Sequence, residues 1–278
     1  AGDPLADAEA LARWADVAVV VGGLDADWEG EGADRIDLRL PGRQEELVRR
    51  VAAANPRTVL VLNAGSPIAL GGWADAVPAV LVAGYPGQAF GDALGDVLAG
   101  AVEPGGRLTS VWPRSVSAHP SALSWPGDGD RLRYGEGVFV GQRGLDRLGL
   151  APAFPLGHGL GYTSWRLGAT NGRLTDTGVE LEVEVDNVGD RDGAAVVQVY
   201  VEPPGRRLPR PARQLCGFRR VELAAGARST VVLPIASQAY ACFDEEADAL
   251  RVEDGVHVFH VGWSAAELPD SWTITLAP

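Results

Sequence analysis

Apolar residues recur in two rhythms along the chain. In the N-terminal part, short apolar runs alternate with stretches of helical period. Asp3-Pro4 sets an N-cap before a proline at the first helical position and opens an amphipathic segment that runs through Trp14. Residues 17–21 form a continuous buried-strand run ending in Gly22-Gly23, and 44–54 form a helical pattern with Leu47, Val48 and Val51 on one face. Further strand runs follow at 58–62, 77–83 and 107–112, with a helix over 89–99 that Gly100 terminates. Strand and helix in alternation, with buried-type strands, predict an open, mainly parallel α/β sheet covered on both faces.

From about residue 166 the period becomes two. Val179, Leu181, Val183 and Val185 alternate with Glu180, Glu182, Glu184 and Asp186, the signature of a half-buried strand. Val197, Val199 and Val201, residues 231–235, and Val256, Val258 and Val261 repeat the theme. Turn clusters at Asn187-Val188-Gly189 and Asp192-Gly193 separate them. Short strands at this spacing predict an antiparallel β-sandwich. The stretch 113–165 is rich in Pro, Gly and aromatics with little periodicity. Trp125, Tyr134, Phe139, Phe154 and Tyr162 make it an ordered connector instead of a flexible linker. The expected organisation is an α/β domain over 1–165, including that connector, and a β-sandwich over 166–278.

Composition narrows the function. The 278 residues carry 37 acidic and 24 basic side chains, a net charge of −13, which leaves no basic footprint for nucleic acid or an anionic membrane. No apolar run approaches the roughly 18 residues that span a bilayer. Methionine is absent even at position 1, so the chain is read as an excised or processed piece of a longer product. Cys216 and Cys242 are too few for a disulfide scaffold, and free thiols are expected.

The loop after the first strand holds the candidate chemistry, because ligands in open α/β sheets bind beyond the carboxyl ends of strands. Five carboxylates (Asp25, Asp27, Glu29, Glu31, Asp34) fall within ten residues there, with Trp28 and two glycines among them. Mutual repulsion raises the pKa of whichever is least solvated, which a general acid needs. Two other readings stand beside this one. The spacing partly fits a calcium loop, with Gly30 at its sixth position, but Ile36 sits where a bidentate Glu is required. A merely solvated acidic loop is the plainer account. His119, His158, His257 and His260 lack metal-ligand spacing, and His257 and His260 are expected on opposite faces of one strand. No nucleophile elbow, P-loop or dinucleotide fingerprint occurs.

Read with its surroundings, the loop resembles the acid/base loop of glycoside hydrolase family 3 β-glucosidases. The resemblance rests on Glu31-Gly32-Ala33-Asp34-Arg35, Leu38-Arg39-Leu40-Pro41-Gly42 and Gln44. In the same order follow Asn55-Pro56-Arg57-Thr58-Val59, Gly65-Ser66-Pro67, Tyr85-Pro86-Gly87-Gln88, Pro104-Gly105-Gly106-Arg107-Leu108, Glu136-Gly137-Val138-Phe139 and Phe154-Pro155-Leu156-Gly157-His158-Gly159. Asn187-Val188-Gly189, Val197-Gln198-Val199-Tyr200 and Arg213-Gln214-Leu215-Cys216-Gly217-Phe218 resemble the fibronectin type III-like domain that closes many such enzymes.

The resemblance implies the C-terminal part of a retaining exo-β-glycosidase acting on terminal β-D-glucosyl residues of oligosaccharides or glycosides. Glu31 would be the general acid/base, with Glu29 as runner-up. Asp34 and Arg35 would shape the loop as an ion pair, and Trp28 would offer a stacking platform. The Asp nucleophile belongs to an N-terminal (β/α)8 barrel that no segment here supplies, so the barrel is the expected partner, as a separate chain or a precursor segment. No cofactor or metal is implied, and a homo-oligomer is compatible with the reading. The alternatives are a β-xylosidase or another exo-glycosidase of the family, and a non-catalytic binding or structural fragment.

Overall fold

A computed structural model describes residues 2–32, 34–205 and 208–277. The chain resolves into two compact units that interleave along the sequence. The first takes Ala1–Asp96, Val111–Gly135 and Pro152–Phe154, and the second Val97–Ser110, Glu136–Ala151 and Pro155–Pro278. No helix among the described residues is long and apolar enough to cross a membrane.

The first unit begins with helix α1 (Pro4–Trp14), capped by Asp3, whose Oδ1 accepts from the Leu5 N–H at 3.2 Å. Strand β1 (Ala18–Gly23), helix α2 (Gln44–Ala54), strand β2 (Thr58–Asn63) and strand β3 (Ala79–Val82) follow. The strands form a parallel sheet in the order β1-β2-β3. Leu5 and Ala12 of α1 and Val48 and Val51 of α2 are buried, over a sheet face carrying Ala18, Val20, Leu60 and Leu62. Asn55 ties the end of α1 down. Its Nδ2 donates to the carbonyls of Ala12 and Ala15 at 2.9 and 2.8 Å, satisfying groups a helix C-terminus leaves open.

Two sequence expectations change here. The sheet is not covered on both faces at β1: Val19 and Val21 remain 47% and 58% exposed, while Ala18 and Val20 on the opposite face are buried and α2 packs against β1 and β2. Helix α3 (Phe90–Leu98) buries none of its residues. Residues 107–112 do not join the parallel sheet either. Leu108 exchanges hydrogen bonds with Gly157 and His158, and Trp112 with Phe154, so this strand-like run pairs with the connector. That connector also contains helix α4 (Gln142–Leu148), closed by Gly149 in the left-handed region at φ 65°, a feature its weak periodicity did not signal.

The second unit is built on two antiparallel sheets. Strands β4 (Trp165–Thr175), β5 (Gly178–Asn187) and β8 (Arg228–Ala236) form one in the order β4-β5-β8. Strands β6 (Gly193–Glu202), β7 (Gln214–Leu223), β11 (Gly255–Gly262) and β12 (Asp270–Leu276) form the other in the order β12-β11-β6-β7. Short strands β9 (Cys242–Asp244) and β10 (Ala249–Arg251) pair as a ribbon. Val179, Leu181, Val183 and Val185 pack against Val197, Val199, Val201, Leu233, Ile235, Phe259 and Val261 in one core, as the period-two pattern predicts.

The register of β11 departs from the valine pattern. His257, Phe259 and Val261 face inward, and Val256 is 45% exposed. His257 takes a core position against the Tyr240 ring (centroids 5.6 Å apart, edge-on), while His260 on the opposite face bonds Glu202 at 2.9 Å. Burial, with the Arg210 charge adding to it, holds the His257 imidazole below its ordinary value. The outer face of β6 is buried too, because the connector lies across it. Gln198 Nε2 donates to the carbonyls of Gly157 (2.9 Å) and Trp263 (2.6 Å), and its Oε1 accepts from the Tyr200 hydroxyl at 2.8 Å. Gly157 is required at that crossing: φ is +79° and a Cβ would lie 1.9 Å from Gln198 Oε1. Cys216 and Cys242 are free thiols, and burial pushes Cys216 up to about 12.

Candidate functional site

The loops leaving β1, β2 and β3 meet at the carboxyl ends of the parallel strands. The first leaves β1 through Gly22-Gly23, where Gln44 clamps the strand end: Gly23 N–H donates to Gln44 Oε1 at 2.8 Å, and Gln44 Nε2 donates to Gly23 O at 3.0 Å. A Cβ at Gly23 would fall 1.9 Å from the Asn63 carbonyl, so only glycine lets β1 approach β2 this closely. Leu24 is then buried, its N–H on Asn63 O at 3.0 Å.

Asp25 turns the chain back. Its side chain accepts from Asp27 N–H at 3.0 Å, and its carbonyl accepts from the N–H groups of Trp28 and Glu29 at 3.0 and 2.9 Å. This local capping is the chemistry Asp favours at tight turns. The turn delivers the half-buried Glu29 onto the next loop. Its Oε2 accepts from Gly65 N–H at 2.9 Å and from the Tyr85 hydroxyl at 2.5 Å, and its Oε1 accepts a short hydrogen bond from the Ser66 hydroxyl. Partial burial pushes this carboxyl up, but the bonds from Ser66, Tyr85 and Gly65, with the Arg35 charge, outweigh it and leave it below the ordinary range. Tyr85 shifts the opposite way, raised by burial and by its bond to the carboxylate. The site also needs Gly65 to be glycine, since a Cβ would sit 2.7 Å from Tyr85 Cε2 and 3.1 Å from Glu29 Oε2.

Arg35 pins the far side of the loop, its Nη1 donating to Ser66 Oγ at 2.7 Å and to Pro67 O at 3.1 Å. Asp34 is exposed, and no ion pair between it and Arg35 is found among the described residues. Glu31 is exposed on the span between the two anchors, and no hydrogen bond to its side chain is found among the described residues. Trp28 is 45% exposed beside it in sequence. The structure therefore brings Glu29 and Arg35 onto one hydroxyl and leaves Glu31 and Trp28 exposed. Sequence reasoning named Glu29 and Arg35 but not Asp25, Ser66 or Tyr85 as parts of one network. Gly65-Ser66-Pro67 and Tyr85-Pro86 were visible as motifs, yet nothing in their spacing says that they meet.

Residues 2–162 match the family model described as the glycosyl hydrolase family 3 C-terminal domain, and residues 195–265 match a fibronectin type III-like domain. A β-glucosidase of Rhizobium radiobacter is 42% identical over 98% of this chain and 34% of its own length. An exo-α-(1→6)-L-arabinopyranosidase of Bifidobacterium breve is 37% identical over 99% of this chain and 37% of its own. The crystal structure of a β-glucosidase from Streptomyces venezuelae in complex with D-glucose superposes with a TM-score of 0.93 at 37% identity, over 98% of this chain and 35% of that one. The chain spans about a third of the length of these relatives. By the match over its N-terminal 161 residues and by these relatives, the chain belongs to glycosyl hydrolase family 3, of which it carries the C-terminal domain and a fibronectin type III-like domain.

Proposed function

We propose that this chain is the C-terminal part of a retaining exo-acting β-glycosidase, a β-glucosidase, in which Glu31 is the general acid/base for an Asp nucleophile borne on a (β/α)8 barrel. The observation that carries this reading is the division of labour in the loop after β1. Glu29 already accepts three hydrogen bonds and lies below the ordinary carboxyl range, so it holds no proton to give. Glu31, in the family's Glu-Gly-x-Asp-Arg motif, is open.

In this reaction the barrel Asp attacks the anomeric carbon while the Glu31 carboxyl hands its proton to the glycosidic oxygen, and the aglycone departs as an alcohol. Glu31, now a carboxylate, takes a proton from water as that water attacks the same carbon. The sugar is released with its configuration retained and both carboxyls return to their starting states. Such pairs work about 5–5.5 Å apart. A partner surface must therefore close over the exposed loop and exclude water. Asp34 and Trp28 then face that partner, Trp28 as a stacking platform for sugar.

The test joins this chain to its barrel-bearing segment and follows a nitrophenyl β-glucoside. The joined protein turns over, this chain alone does not, and Glu31→Ala in the joined protein loses several orders of magnitude in kcat. Full turnover by the isolated chain, or an undiminished Glu31→Ala variant, contradicts the proposal. A second glycone has support from the B. breve arabinopyranosidase, which matches this chain over nearly its whole length. Comparing kcat/KM for nitrophenyl β-glucoside, β-xyloside and α-L-arabinopyranoside decides between them.

A further inference from the structure

The loop that carries Glu31 has few other ties. Between the clamped end of β1 and the bond from Ala69 N–H to Leu38 O at 2.8 Å, its described side-chain bonds to the rest of the unit come, apart from the local pair of Asp37 with Arg39, from two residues, Glu29 and Arg35. Both converge on the Ser66 hydroxyl, which donates to Glu29 and accepts from Arg35. Glu29 adds Gly65 from the same β2 loop and Tyr85 from the β3 loop. Three strand ends are thereby joined through one carboxylate, two residues before the proposed donor.

We propose that Glu29 is a positioning residue for the proton donor: its carboxylate, held by Gly65, Ser66 and Tyr85, fastens the Glu31 loop to the β2 and β3 loops. The inference rests on the reading that Glu31 is the acid/base. A carboxylate with three donors and no proton suits a brace, because charge-assisted bonds are shorter and stronger than neutral ones.

The test uses the joined protein with Glu29→Gln, Tyr85→Phe and Ser66→Ala. Glu29→Gln keeps the shape but removes the charge and sets an amide against hydroxyl donors. Its kcat should fall about 10- to 100-fold on glycosides with poor leaving groups, the scale of a small misplacement of a catalytic group. On a dinitrophenyl glycoside the loss should be smaller, with KM little changed. Tyr85→Phe, which keeps the ring and removes one bond, should show a lesser form of the same changes. Ser66→Ala and Glu29→Gln together should lose less than the product of their separate losses.

Unchanged kcat in Glu29→Gln overturns the proposal, as does a loss confined to KM. Acceleration of Glu29→Ala by azide to the extent seen with Glu31→Ala also overturns it, because Glu29 would then be the acid/base. An undiminished Glu31→Ala sinks the underlying reading instead, so the two failures are told apart.

Discussion

Gln198→Leu removes the polar tie between the connector and the second sheet while keeping most of the side-chain volume. In the native unit the Gln198 side chain is 3% exposed and makes three hydrogen bonds, to Gly157 O, Trp263 O and the Tyr200 hydroxyl. After substitution the two carbonyls lose this donor, the Gly157 carbonyl in a buried place and the Trp263 carbonyl in a partly buried one. The Tyr200 hydroxyl keeps its 3.3 Å bond to Leu156 O. Each stranded buried group costs about 1–3 kcal/mol. Extra apolar burial by leucine offsets about 1 kcal/mol, so for two carbonyls the net loss is about 1–5 kcal/mol. Urea unfolding followed by tryptophan fluorescence reads this directly. With a slope of about 2 kcal/mol per molar urea, the midpoint of the second unit drops by about 0.5–2.5 M. A loss below about 0.5 kcal/mol, or a gain, refutes the view that Gln198 holds the connector in place.

Gly157→Ala should be destabilising by about 2 kcal/mol or more in the same urea assay, because it adds a Cβ inside Gln198 at φ +79°. Gly65→Ala should displace the Tyr85 ring and loosen Glu29, reducing turnover of the joined protein while leaving the unfolding of the second unit unchanged. His257 is held below its ordinary value of 6.5 by burial, so the unfolded chain binds a proton there that the folded chain refuses. Its contribution to stability is complete above about pH 6.5 and is lost as pH falls below that value. His257→Leu should flatten the slope of thermal stability between pH 6.5 and 5, and an unchanged slope would place the acid sensitivity elsewhere.

Much of the architecture follows from pattern alone. The capped helix at Asp3-Pro4, the first three parallel strands and the alternating strand at 179–185 all stand where sequence periodicity puts them, because each has apolar positions to bury. Periodicity reads only whether a position is apolar, which explains where it misleads. Val19 and Val21 are apolar yet exposed at the sheet edge, and His257 and Gln198 are polar yet buried because long-range partners satisfy or enclose them. The same limit applies at the candidate site. The acidic loop and its motif are legible from local sequence, whereas the meeting of Glu29 with Ser66 and Tyr85 depends on strand order, 37 and 56 residues away.

The central claim is that the Glu31 carboxyl moves the proton in a two-step reaction that keeps the anomeric configuration. Product analysis of Glu31→Ala in the joined protein, with a dinitrophenyl β-glucoside and sodium azide, tests it most directly. Without its base, the glycosyl-enzyme should be intercepted by azide, giving β-glucosyl azide and a restored rate. Wild-type glucose release with no azide adduct would mean that another group carries the proton.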